Sequence, residues 1–267
     1  MEHADNRLIQ IRRDEKPQGV VAHLTIANAR KLNAMNSAMM AEFVVAMDEL
    51  AADARLRALV LSGAGPTAFI VGADIGEMAA IAGAEEATAF ITRLHRCCDA
   101  IRALPVPVIA RIHGYAFGAG LEIAAACDVR IASEAASFGM PEVKLGIPSV
   151  IEAALLPTLV GWGRAREIMY LGEIFSAAEA LEWGLIEHVV PAAALDATVE
   201  TWIGKLLTST PGAVRLQKQL IRQWEDLPLG AAVQAGVTAF AAAYRTDEPA
   251  IAMRKFLAAQ KARKRRV

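Results

Sequence analysis

Two carboxylates twenty residues apart, Glu122 and Glu142, are where this chain could do chemistry. Glu122 lies in "HGYAFGAGLEIAAACD" (His113–Asp128), after the small residues Gly118, Ala119 and Gly120 and ahead of an alanine run. Glu142 lies in "FGMPEVKLGIP", directly after Pro141. A carboxyl group in apolar surroundings needs partners. Two of them beside one water can take a proton at one atom and deliver one at another. Glu122 also has a plainer reading, because an acid in the first turn of a helix gains about 0.3–1 kcal/mol from the helix dipole. Glu142 by itself reads as a loop glutamate.

Two glycine-punctuated loops follow strand-like segments: "PTAFIVGADIGEM" (Pro66–Met78) and "HGYAFGAGLE" (His113–Glu122). Backbone N–H groups exposed at a strand-to-helix turn bind an anion or a developing oxyanion, and small residues let the ligand approach the main chain. Neither loop has the spacing of a nucleotide fingerprint, so a phosphate cradle is the weaker reading. No H-E-x-x-H, paired C-x-x-C or G-x-S-x-G occurs, which leaves zinc and serine-nucleophile chemistry without support. Asp74 and Glu77 have the spacing of an N-cap and its third-position partner. His95, beside the apolar stripe of its helix, and His113, at a strand end, are placed outside the site.

The elements that must position these groups alternate. "VVAHLTIAN" reads as a strand; Met40, Phe43, Met47 and Leu50 then recur at helical steps. "LRALVLSGAG" is a buried strand, and Phe90, Leu94, Cys97, Ile101 and Leu104 form a helix stripe that Pro105 stops. "VPVIARIHG", "DVRIAS" and "GLIEHVVP" read as strands, and "FSAAEALEWG" as a helix with Ser176 and Glu179 at capping-box spacing. From about Ala194 only helices are expected, three of them, interrupted near Pro211 and Pro228. The pattern predicts an α/β core over residues 1–193 carrying the site, and a helical region over 194–267 serving oligomerisation.

Composition narrows the classes further. With 267 residues and 55% of them hydrophobic, the chain can bury a sizeable core. A net charge of −1 gives no general case for nucleic acid, and the basic tail "KARKRRV" reads as a solvated helix end. Cys97, Cys98 and Cys127 have no metal-ligand spacing and read as core thiols. No apolar run is long enough for a bilayer, and "MEHADNRLIQIRRDE" lacks a signal core, so a reduced, cytoplasmic protein without membrane partners is expected.

Taken together, "NARKLNAMN", "AFIVGADIGEM", "HGYAFGAGLEIAAACDVRIAS", "FGMPEVKLGIP" and "SAAEALEWGLIEHVVP", in that order from about Leu24 to Lys261, resemble the enoyl-CoA hydratase/isomerase (crotonase) family. The resemblance implies a crotonase-like spiral of ββα turns, with C-terminal helices completing a homotrimer or a dimer of trimers. It implies that the N–H groups of Ala73 and Ala119 hold a thioester carbonyl oxygen, and that Glu122 and Glu142 are the two hydratase glutamates. Family members that only shift a double bond commonly lack the first. "NARKLNA" matches the segment that holds CoA, with Arg30 and Lys31 toward its phosphates and the backbone at Leu32 beside the rest. Asp74, Ile75, Tyr115 and Pro141 are further substrate-binding positions on the same ground.

The activity implied is addition of water to a 2-enoyl-CoA to give a 3-hydroxyacyl-CoA. No metal or redox cofactor is needed, since CoA arrives with the acyl-CoA substrate. Isomerisation, dehydration or thioester hydrolysis within the family is the alternative, as is a catalytically silent trimeric scaffold. The chain departs from the family's pattern at three places. "PSVIEAALLP" (Pro148–Pro157) replaces a glycine-rich turn at the acyl end of the pocket and adds Glu152. Ala119 replaces the commoner glycine, and the C-terminal tail matches loosely.

Overall fold

The computed structural model describes residues 7–264. Residues up to Ile203 form one compact unit and those from Gly204 onward a second. In the first, β1 (Ile9–Lys16), β2 (Gly19–Ile26), α1 (Ser37–Ala51), β3 (Leu56–Gly63), β4 (Ala68–Ile70), α2 (Ile75–Ala79) and α3 (Ala84–Ala103) follow in order. Next come β5 (Val108–Ile112), β6 (Tyr115–Phe117), α4 (Ala119–Ala126), β7 (Val129–Ser133) and β8 (Ser137–Gly139). Then come α5 (Leu156–Leu171), β9 (Ile174–Ser176), α6 (Ala177–Glu182), β10 (His188–Val190) and α7 (Leu195–Leu207), the last crossing the unit boundary.

One sheet runs β1-β2-β3-β5-β7-β10 and a second runs β4-β6-β8-β9. Only the β1/β2 and β8/β9 pairs are antiparallel. Three strands of the first sheet are each followed by a short one in the second: β3 by β4, β5 by β6, β7 by β8. A helix comes after each pair, so the chain advances as repeated ββα turns. β3 is buried at nearly every position, which accounts for the apolar run "ALVL" in a strand with parallel neighbours on both sides, and the buried Arg57 before it donates to Gln18 O at 2.7 Å. The expected stripes of α1 and α3 are buried together with the fully enclosed Cys97 and Cys98.

Several short elements escape periodicity. β1 forms in a segment that reads as merely polar, because it is an edge strand whose outer positions meet solvent. The three-residue strands β4, β6, β8 and β9 exist through pairing with distant segments. The expected strand "GLIEHVVP" is reduced to His188–Val190. The capping box at Ser176 and Glu179 is present in full.

The second unit holds α8 (Pro211–Asp226), α9 (Leu229–Ala243) and α10 (Glu248–Lys264). With α7, four helices replace the expected three. Pro211 opens α8 as its first residue, while Pro228 precedes α9, a prolyl position that starts helices as readily as it stops them. The Glu248 carboxylate accepts from the Gly212 and Ala213 N–H groups at the start of α8. Trp224 Nε1 donates to Ala232 O at 2.8 Å. Among the described residues no helix is long and apolar enough to cross a membrane.

α4 is buried along its whole length, so its ends need partners inside the protein. Its C-terminal carbonyls are served by Arg130, whose Nη1 donates to Ala124, Ala125 and Cys127 at 3.2, 3.4 and 2.7 Å. Nη2 donates to Glu187 Oε1 at 2.5 Å. Removing this guanidinium strands several acceptors at once. Arg130→Met should therefore lower unfolding stability by about 3 kcal/mol, read from denaturant midpoints.

Candidate active site

The loop after β4 is fixed by a single parallel bridge. Met35 N–H donates to Gly72 O and Asp74 N–H donates to Met35 O, both at 2.9 Å. Successive N–H groups of extended backbone point to opposite sides, so that of Ala73 faces away from Met35. On the next turn of the spiral, Gly118 takes φ +50° and ψ −121° as it enters α4, a conformation that favours glycine. Ala119 then opens the helix, where first-turn N–H groups have no intrahelical acceptor. The two loops touch, because a Cβ on Gly72 would meet Phe117 O at 3.4 Å and Ala119 N at 3.9 Å. Among the described residues neither the Ala73 nor the Ala119 N–H has a hydrogen-bond acceptor.

Both alanines line a cavity of about 530 Å³, together with Glu122, Glu142, Ile75 and Pro141. The rest of its wall is chiefly apolar, from Met78 and Ile81 past Phe90, Ile91 and Leu94 of α3 to Val150. Glu122 is 4% exposed, and its Oε1 accepts from Ala153 N–H at 3.3 Å. Burial, then the charge of Glu142, pushes the Glu122 carboxyl up to about 8, against the backbone N–H groups of Ala153 and Val150. Glu142 sits in the short 3₁₀ helix Pro141–Leu145. Its Oε2 accepts from Ser149 Oγ at 3.0 Å, and its Oε1 presses on the Cα of Gly118, where any Cβ would overlap it. Burial raises this carboxyl too, while the Ser149 hydroxyl opposes the shift. Burial thus raises both carboxyls, and the charge of Glu142 adds to the rise at Glu122.

The other positions expected at the site serve the loops and do not line this cavity. Lys31 Nζ pairs with Asp74 Oδ2 at 2.6 Å, tying "NARKLNA" to the start of α2. The Asp74 carboxylate also caps α2, accepting from Gly76 and Glu77 N–H at 2.9 and 3.2 Å, and these partners hold it below its ordinary range. The capping box is only half made: Asp74 N–H is already engaged by Met35, and Glu77 instead accepts from Ser37 N and Oγ. Arg30 is exposed, and Leu32 has left-handed backbone with its carbonyl accepting from Val71 N–H. Tyr115 stacks on Phe117 at 5.2 Å.

Some contributors carry no sequence signal of their own. Buried Asn33 holds the "NARKLNA" loop in shape by donating to Ala64 O and Ala68 O at 2.9 and 2.8 Å. Ser149 and the Ala153 N–H come from the segment that departs most from the family's pattern. His95 is half-exposed, as its place beside the helix stripe suggests, and its Nδ1 meets the Oε1 of buried Glu152, one residue from Ala153, at 2.9 Å. Neither His95 nor His113 lines the cavity.

Comparison with known proteins gives the family. The family model described as "Enoyl-CoA hydratase/isomerase" matches residues 15–263. The short-chain-enoyl-CoA hydratase of Clostridium acetobutylicum is 36% identical over 91% of this chain and 94% of its own. The crotonyl-CoA hydratase of Syntrophomonas wolfei is 34% identical over 91% and 93%. The crystal structure of an enoyl-CoA hydratase from Bacillus anthracis superposes with a TM-score of 0.88 at 32% identity, covering 94% of this chain and 96% of that one. The fold is thus crotonase-like, and the chain belongs to the enoyl-CoA hydratase/isomerase family.

The buried acid has a stability consequence. Between its unfolded value of 4.5 and about 8, Glu122 is ionised in the unfolded chain and protonated in the native one. The native state then binds more protons, so stability falls as pH rises through that window and levels above it. Thermal melts from pH 5 to 9 should show this decline, and Glu122→Gln should flatten it while melting higher than the parent at pH 8.

Proposed function

We propose that this protein hydrates 2-enoyl-CoA thioesters to 3-hydroxyacyl-CoA. The observation that carries the reading is that Glu122 and Glu142 share one cavity with two unsatisfied N–H groups, those of Ala73 and Ala119. When water attacks the β-carbon, its oxygen bonds there and electron density moves through the α-carbon onto the thioester oxygen. The Ala73 and Ala119 N–H groups receive that charge, and one such preorganised donor is worth about 2.7–4 kcal/mol. The N-terminal end of α4 adds its positive dipole at the same place. One glutamate takes a proton from the water and the other supplies a proton to the α-carbon, so the enolate collapses to the saturated thioester.

The raised Glu122 suits that division of labour, since a carboxyl pushed up to about 8 has a proton to give at neutral pH. No metal or redox group takes part in this scheme, and CoA enters with the substrate. The "NARKLNA" loop, with Arg30, Lys31 and Leu32, is assigned to the CoA moiety, Lys31 sharing itself with Asp74. The apolar wall of Met78, Ile81, Phe90 and Ile91 suits a hydrocarbon acyl group. The exposed Val233, Val237, Phe240 and Tyr244 of the C-terminal helices suit burial in a homotrimer.

Loss of the conjugated thioester's ultraviolet absorbance on mixing with crotonyl-CoA tests the activity; no turnover with short, long or branched enoyl-CoAs would refute it. Glu122→Gln and Glu142→Gln should each lower kcat by about 10²-fold or more with CoA-ester binding retained. The kcat/KM profile should be bell-shaped. Its alkaline limb lies near pH 8, where the Glu122 proton leaves. Its acid limb, where a second proton arrives, lies above the usual glutamate range. Light scattering at micromolar concentration should give the mass of a trimer or a dimer of trimers.

A further inference from the structure

Glu152 is a third buried carboxylate beside the pair, and the hydration scheme leaves it unused. It lies in the 3₁₀ helix Ile151–Leu155 and is 7% exposed. His95 Nδ1 meets its Oε1 at 2.9 Å. Its Oε2 is buried without a well-directed hydrogen-bond partner among the described residues, with the Cys98 thiol as neighbour. The chain reaches this helix through Ile151, a β-branched residue at φ +41°, where such side chains are strongly disfavoured. Backbone strain persists only where surrounding contacts over-determine it, and it concentrates at functional sites. One residue past Glu152, Ala153 N–H is the donor to Glu122 Oε1.

We propose that His95 and Glu152 form a positioning pair for Glu122. Their contact anchors the strained turn that presents the Ala153 N–H, and the Glu152 charge helps keep the proton on Glu122. Neither residue touches the reacting atoms; both act through Glu122. The charge of Glu152 acts on Glu122 in the same sense as that of Glu142, favouring the protonated acid.

Glu142 exerts the larger charge effect on Glu122, and Glu152 adds to it. Cys97 and Cys98 on α3 are held neutral, Cys97 pushed up to about 12, by burial and by Glu152 itself. Arg130 is occupied at the far end of α4 and by Glu187. β4 carries no ionisable side chain, and on β6 only Tyr115, stacked on Phe117, is ionisable. On α5, which packs against the 3₁₀ helix, Arg164 lies over Trp183 and pairs with Glu167, and Arg166 lies over Trp162.

The inference uses the hydratase reading only for its effect on rate, so its main test needs no turnover. In protein labelled with ¹³C at the glutamate carboxyl, the resonance lost in Glu122→Gln reports the titration of Glu122. In Glu152→Gln, which keeps the shape and removes the charge, that midpoint should move down by about half a pH unit or more. His95→Gln, at a half-exposed helix position, provides the second arm should the first variant fold poorly. There the midpoint should move as well, because the contact that anchors the turn presenting the Ala153 N–H is lost. Where crotonyl-CoA is turned over, the alkaline limb of kcat/KM should follow these midpoints. An unmoved midpoint in a folded variant overturns the proposal even if hydration is intact. A moved midpoint with no turnover in the parent leaves the pairing standing and refutes only the hydratase reading.

Discussion

The site depends on backbone meeting backbone where β4 runs beside the start of α4. Gly120 lies so close to Ile70 that any Cβ would overlap the Ile70 carbonyl, and Gly114 stands in the same relation to Thr67. These contacts bring one turn of the spiral against the next. They leave the Ala73 and Ala119 N–H groups on one cavity wall. Side chains at those two glycines would push the two turns apart. The alanine at position 119 is tolerated because its own Cβ is not at the crossing point; the neighbouring glycines are.

Electrostatics is layered on that frame. Enclosing α4 removes water from Glu122, and Glu142 and Glu152 are gathered near it from two successive 3₁₀ helices. Burying carboxylates together costs stability unless one stays protonated, and the raised Glu122 is the form that cost takes. Backbone donors from Ala153 and Val150, and the hydroxyl of Ser149, limit the penalty without cancelling it. A proton kept on one carboxyl while its neighbour is ionised is also what addition of water requires. Under the proposed hydration, the burial that weakens the fold at high pH also holds the proton to be delivered.

The segment Pro148–Pro157 shows how a local departure is absorbed. Where the family's pattern has a glycine-rich turn, this chain places bulkier residues and accepts a left-handed Ile151. Pro148 and Val150 line the cavity, Ser149 serves Glu142, and Ala153 serves Glu122. A stretch that reads as divergent thus takes part in the site at four positions.

By itself, the sequence determined the long elements and, through its ordered motifs, the family. The stripes of α1 and α3, the buried run of β3, the capping box at Ser176 and the small residues around Ala73 and Ala119 are local patterns, set by period and by backbone freedom. Glu122 drew notice for its apolar neighbours, while Glu142 read as a loop glutamate until the resemblance paired the two. Only the tertiary structure decided which N–H groups lack acceptors, since that depends on Met35 reaching across to Gly72 and Asp74. It alone placed His95 against Glu152, 57 positions away in the chain. It alone decided the proton on Glu122, because dipole and desolvation act on that carboxyl in opposite senses. Only the finished enclosure, with two further carboxylates folded in beside it, lets desolvation prevail.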